Sequence, residues 1–147
     1  MLPLLKLPSF PSLSNKNKCA LGAYEIKITS HESKVTIVAS GSEVELALET
    51  QKQLKENNID SKVISMPCQE LFNNQSTEYK ENILEKDTLV VTLEAGGISS
   101  WSKYLGNNGF SLGVKSFGES APYKEVYDHF DLTSEKIVTL IQKLLRK

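Results

Sequence analysis

Val35-Thr36-Ile37-Val38-Ala39 runs without a break into Ser40-Gly41-Ser42-Glu43-Val44, and this junction decides the fold. Five short, apolar and mostly β-branched residues read as a strand buried on both faces, which is the habit of a parallel sheet. The segment after Gly41 changes period. Val44, Ala47, Leu48 and Leu54 form one stripe at helical spacing, with Glu43, Glu45, Glu49, Lys52 and Lys55 facing out. Ser42 followed by Glu45 reads as a capping box, so the helix is expected to start there and to end at Asn57-Asn58.

The same alternation continues outward. Lys62–Met66 is the next strand, stopped by Pro67. Helical turns around Glu70–Asn73 and Ser76–Leu84 lead to a buried strand at Leu89–Leu93. A short helix is predicted over Ile98–Leu105, a weaker strand over Phe110–Val114, a helix over Tyr123–Phe130 and a final helix from near Thr133 to Leu145. Upstream, Tyr24–Ile28 alternates apolar and polar residues, as a half-solvated edge strand would. Strands alternating with helices predict a three-layer α/β domain. Its sheet should be mostly parallel and about five-stranded, with helices on both faces and Tyr24–Ile28 as an antiparallel edge.

Residues 1–20 read as an interdomain linker and 21–147 as the domain. Pro3, Pro8 and Pro11, followed by Ser12, Ser14, Asn15 and Asn17, deny the opening a continuous helix or a central strand. A chain that opens on a linker implies a domain before it. Met1–Pro8 is apolar but holds two prolines and no basic residue ahead of the apolar stretch, unlike a secretory signal.

The chain has 147 residues, 39% hydrophobic and 24% charged, with a net charge of -1. That balance gives no pull toward nucleic acid or an anionic membrane. No apolar run is long enough for a bilayer. Cys19 and Cys68 are isolated, which fits a reducing cytoplasm better than a disulfide framework.

In an open parallel sheet, ligands sit at the carboxyl ends of strands. Those ends are Ser40-Gly41-Ser42, Pro67-Cys68-Gln69 and Glu94-Ala95-Gly96-Gly97, and Phe117–Pro122 could lie on the same side. Gly41 and Ser42, at a helix start, could hold an anion; the blander reading is that the cap already satisfies those donors. Glu94 and Glu119 could share acid–base work, although turn caps or ion pairs are the commoner use of such carboxylates. Cys68 lacks a histidine in any recognisable motif, since only His31 and His129 exist, so it reads as a small buried side chain. Zinc spacing, G-x-G-x-x-G, a P-loop and G-x-S-x-G are all missing. Trp101 and Tyr104 lie three apart and could join Tyr123, Tyr127 and Phe130 in an aromatic contact surface, with core packing slightly favoured for Trp101. The candidate anion or interface positions are therefore Gly41, Ser42, Glu94, Trp101, Gly118, Glu119 and Ser120.

An ordered series of short motifs resembles the C-terminal domain of transketolase. The series is Gly22-Ala23-Tyr24, Ala39–Val44, Val63–Pro67, Glu70-Leu71-Phe72 with Gln75, Glu94-Ala95, Trp101–Tyr104, Phe117–Pro122, and Tyr127 with Phe130. Two positions depart from the family pattern: Asn73 where Asp is common, and Asp131 where Gly is common. The resemblance implies an enzyme of the cytoplasmic pentose phosphate pathway. It would use thiamine diphosphate with Mg2+ or Ca2+ to move a two-carbon ketol unit between ketose and aldose phosphates, as a homodimer of three-domain chains. It further implies that this domain supplies no cofactor ligand. The family's substrate-gripping Arg, ahead of a Leu-Pro, has no counterpart before Leu2-Pro3 or Leu7-Pro8; the first arginine is Arg146. No catalytic, cofactor or metal residue is carried over. The chain alone is expected to be inactive, a monomer or weak dimer, with a structural or dimer-contact role. Its partners would be the other transketolase domains and a second subunit. The rival readings are an anion- or metabolite-binding regulatory module, and the similar last domain of pyruvate dehydrogenase β subunits or deoxyxylulose phosphate synthase.

Overall fold

Five strands form one sheet in the order β1-β3-β2-β4-β5. The computed structural model describes residues 18–26, 32–85, 87–94, 99–106, 108–113 and 133–146. The strands are β1 (Tyr24–Glu25), β2 (Val35–Ala39), β3 (Ser61–Ser65), β4 (Leu89–Glu94) and β5 (Phe110–Gly113). β1 runs antiparallel to β3, with Tyr24 opposite Ser65; the other pairings are parallel. The expected three-layer α/β domain with one antiparallel edge is what forms. Residues 27 and 28 of the predicted edge strand lie outside the described residues, as does the predicted helix over Tyr123–Phe130.

Alternation along the strands sorts the core into two layers. Val35, Ile37, Val63, Val91 and Leu93 face α1 (Glu43–Glu56) and α4 (Ser134–Leu145), where Leu54, Ile137 and Ile141 are fully buried. Val38, Ile64, Met66 and Val90 face the other way. They meet Phe72 of α2 (Gln69–Asn73), Ile83 of α3 (Thr77–Leu84), and Trp101 and Tyr104 of a 3-10 helix over Ser99–Tyr104. Each large apolar side chain buried in this way contributes about 1.5–3 kcal/mol. Gln53 of α1 donates to the Ser134 hydroxyl at 2.8 Å, which ties the two helices of the first layer together.

Helix ends follow local chemistry. Thr133 and Ser76 accept from the Lys136 and Tyr79 amides and so cap α4 and α3. The capping box expected at α1 does not form. Ser42 sits at the N-cap in helical backbone geometry (φ -65, ψ -23), so its hydroxyl cannot reach back over the first turn. It donates instead to Glu43 Oε1 at 2.8 Å. Glu43, expected outside, is buried. Gly41, at φ +55, makes the left-handed bend from β2 into α1 that a side chain would resist.

Candidate functional site at the strand ends

The strand order places β2 in the middle, with β3 on one side and β4 on the other. The connections from β2 and β3 therefore leave on opposite faces, and a crevice opens at the carboxyl ends, where open α/β sheets receive ligands. A cleft of about 380 Å³ lies there, lined by Ser40, Cys68, Gln69, Glu70, Glu94 and Ser100. Trp101 forms part of its wall but is only 3% exposed, in the core.

Each side chain is positioned by the end of an element. Ser40 follows β2 and donates to Glu94 Oε2 at 2.9 Å, stitching the ends of β2 and β4 together. Gln69 opens α2 and reaches Ser100 at 3.3 Å. The Cys68 thiol donates to Glu70 Oε2 at 3.4 Å. Glu70 is held below the usual carboxylate range, first by its own backbone amide, then by the Cys68 thiol, with a smaller pull from Lys103. Cys68 is half-buried on this polar wall rather than buried among apolar groups, because Pro67 ends the strand and turns the chain outward before α2 begins.

Of the predicted positions, Glu94 and Trp101 meet at this cleft. Gly41 and Ser42 stand outside its lining. Contrary to the bland reading, the Ser42 side chain does not cap the start of α1; two of the amides there are bonded by backbone instead. The Glu43 amide donates to the Ser40 carbonyl at 3.2 Å and the Val44 amide to the Gly41 carbonyl at 3.3 Å. Gly118, Glu119 and Ser120 lie outside the described residues. The carboxylate that shares the cleft with Glu94 is Glu70, which sequence reasoning placed in a helical turn and a family motif but not at a site. Ser100 was missed because nothing local marks a serine in a 3-10 turn as facing a strand end.

Two carboxylates and no basic side chain line the cleft among the described residues. That donor set repels a diphosphate or sugar phosphate. Nor is there, among the described residues, a group of three His, Cys, Asp or Glu that could hold a metal ion. The groups lining this cleft do not fit thiamine diphosphate with its cation. No helix among the described residues is long and apolar enough to cross a membrane.

Residues 22–133 match the family described as the transketolase-like TK C-terminal domain. The chain belongs to this family. It is 36% identical over 147 residues to a transketolase of Sinorhizobium medicae, covering 99% of this chain and 20% of that one. Among solved structures it is similar to the Pichia stipitis transketolase in complex with sedoheptulose-7-phosphate. That match has a TM-score of 0.79 and 31% identity, over 88% of this chain and 18% of the other. It is also similar to a split gene transketolase described as an inactive beta4 tetramer, with a TM-score of 0.63 and 27% identity, over 84% of this chain and 42% of that one. The chain thus spans about a fifth of the length of the whole transketolases it matches. Asn73, the family departure at the end of α2, accepts from the Tyr104 hydroxyl at 2.8 Å through Oδ1, a role an Asp oxygen could also fill.

Proposed function

We propose that this chain is the last domain of a transketolase. The enzyme would transfer a two-carbon ketol unit between sugar phosphates, and the domain would serve it through structure and subunit contact rather than chemistry. One observation carries this reading: almost the whole chain aligns with a fifth of a full-length transketolase. The strand-end cleft supports it, because its two carboxylates suit neither a phosphate nor a diphosphate. The split gene relative, described as inactive in its beta4 form, is a precedent for a partial transketolase without turnover. The relative crystallised with sedoheptulose-7-phosphate supports sugar phosphates as substrates of the whole enzyme. Thiamine diphosphate, the divalent cation and a homodimeric assembly belong to this proposal as properties of the complete protein. The free thiols of Cys19 and Cys68 suit a reducing compartment such as the cytoplasm.

The test is an assay of the isolated chain with thiamine diphosphate, Mg2+, xylulose 5-phosphate and ribose 5-phosphate. No ketol transfer above a boiled control is expected. Turnover by the chain alone would overturn the proposal.

A further inference from the structure

We infer a second ligand site on the far side of the 3-10 helix, for a small acid with an apolar body. A cleft of about 560 Å³ opens beside the starts of β4 and β5, between α3 and the turn after Tyr104. Its volume lies in the range of small-molecule sites. Leu84, Val90 and Leu105 contribute apolar surface to it.

The two lysines at the rim are tied to one hydrogen-bonded pair, Tyr104 and Asn73. Tyr104, in the wall, donates its hydroxyl to Asn73 Oδ1 at 2.8 Å. The Asn73 carbonyl accepts from Lys80 Nζ at 3.2 Å. From the other side, Lys103 Nζ stands 5.2 Å from the centre of the Tyr104 ring, within cation–π reach. The two ammonium groups are thereby held at the rim by different residues, Lys80 by Asn73 and Lys103 by Tyr104, which the Tyr104–Asn73 hydrogen bond joins. An ammonium carries three donors and Lys80 spends one on Asn73, so donors remain for an anion. Glu81 also lines the rim, leaving the charged groups there one positive in sum. A carboxylate, sulfonate or phosphate ester on a flat apolar body meets both demands: lysines for the acid, and Leu84, Val90 and Leu105 for the body.

This cleft shares no lining residue with the acidic cleft at the strand ends, although Lys103 also pulls on Glu70 there, and it does not depend on the transketolase reading. It gives the metabolite-binding alternative a location that Gly41 and Ser42 do not provide.

The probe is 8-anilinonaphthalene-1-sulfonate, followed by its fluorescence on the whole chain. Saturable binding is expected. Lys80→Glu with Lys103→Glu should weaken it by more than about tenfold, since tenfold is the size of one lost charge-assisted contact and two are removed. Thr77→Trp, an exposed lining position on α3, should block it sterically. Leu140→Lys, on α4 and outside the lining of this cleft, should leave it unchanged. N-phenyl-1-naphthylamine, which has a similar aromatic body without the sulfonate, should bind about tenfold more weakly. The inference fails if no saturable binding occurs, if the charge-reversed and Thr77→Trp variants bind as the parent does, if Leu140→Lys abolishes binding, or if the uncharged amine binds equally well. Far-ultraviolet circular dichroism on each variant separates loss of the site from loss of the fold.

Discussion

Gly22 faces the backbone of Phe72 so closely that a Cβ on Gly22 would fall on the Phe72 amide nitrogen. The Cys68 carbonyl oxygen would stand 2.5 Å from that added Cβ. Gly22 donates to the Cys19 carbonyl at 3.0 Å and accepts from the Cys68 amide at 3.2 Å, so the chain entering β1 is fastened to the loop entering α2. Its φ of +81 is also one that side chains resist. Gly22→Ala therefore meets a clash and a backbone penalty together. The loss expected is about 2–4 kcal/mol, more than the left-handed conformation alone would cost. A urea midpoint lowered with an unchanged slope is the expected readout; an unchanged midpoint would show that the two segments separate freely.

Lys62 is buried in β3 with its ammonium 2.9 Å from Glu85 Oε1 and 3.0 Å from the Asn82 carbonyl at the end of α3. The partners are unequal, with side chains 4% and 43% exposed. Removing the acid strands a buried cation, whereas removing the cation leaves an acid that water can reach. Glu85→Gln should destabilise by about 1–3 kcal/mol, below the usual loss for a fully buried pair because Glu85 is half in solvent. Lys62→Met should cost less than Glu85→Gln. Paired denaturation curves decide it, and the reverse ranking would contradict the asymmetry.

Much of the sheet was readable because parallel strands buried on both faces write themselves as short apolar runs. Val35–Ala39 and Leu89–Glu94 form close to where such runs stand. The misreadings fall where a backbone angle outvotes a side-chain pattern. Ser42 and Glu45 carry the letters of a capping box, but Ser42 is already helical and cannot act as one. Glu43 looked like an exposed first-turn acid and is buried, because helix periodicity cannot say how the first turn is covered. At the candidate site, Glu94 was placed correctly at a strand end. Its partner Ser40 comes from another strand, a pairing fixed by register between β2 and β4 and invisible to local spacing.

Tyr79 makes stability fall at high pH. Its hydroxyl donates to the Ala23 carbonyl at 2.6 Å, and burial holds its pKa above the ordinary value of 10.0. Tyr24 is raised as well, chiefly by burial, against the lowering effect of its hydrogen bond with Ser65. With the folded pKa raised, the unfolded chain loses its proton first. The contribution is then fully present below about pH 10 and is lost as pH rises through the folded value. Denaturation midpoints from pH 8 upward should drop more steeply for the parent than for Tyr79→Phe, which removes one titrating group. Parallel curves would mean that Tyr79 ionises as freely folded as unfolded.

Trp101 reports on the packing around Phe72. Trp101 and Tyr104 meet edge to face at 6.1 Å, and Tyr104 meets Phe72 at 5.8 Å, so the three rings form a chain beneath α2. Phe72 is fully buried and Trp101 nearly so. Phe72→Ala should cost about 3–5 kcal/mol by leaving a cavity at the α2 end of that chain. It should also leave Trp101 without the packing that Tyr104 receives from Phe72, so that Trp101 emission moves to the red and acrylamide quenches it more readily. Phe72→Leu, which keeps most of the volume, should cost less and leave the emission close to the parent. If Phe72→Ala lowers stability while the Trp101 spectrum stays fixed, the cluster is held from the sheet side by Val90 and Met66, and the aromatic chain is not what positions the indole.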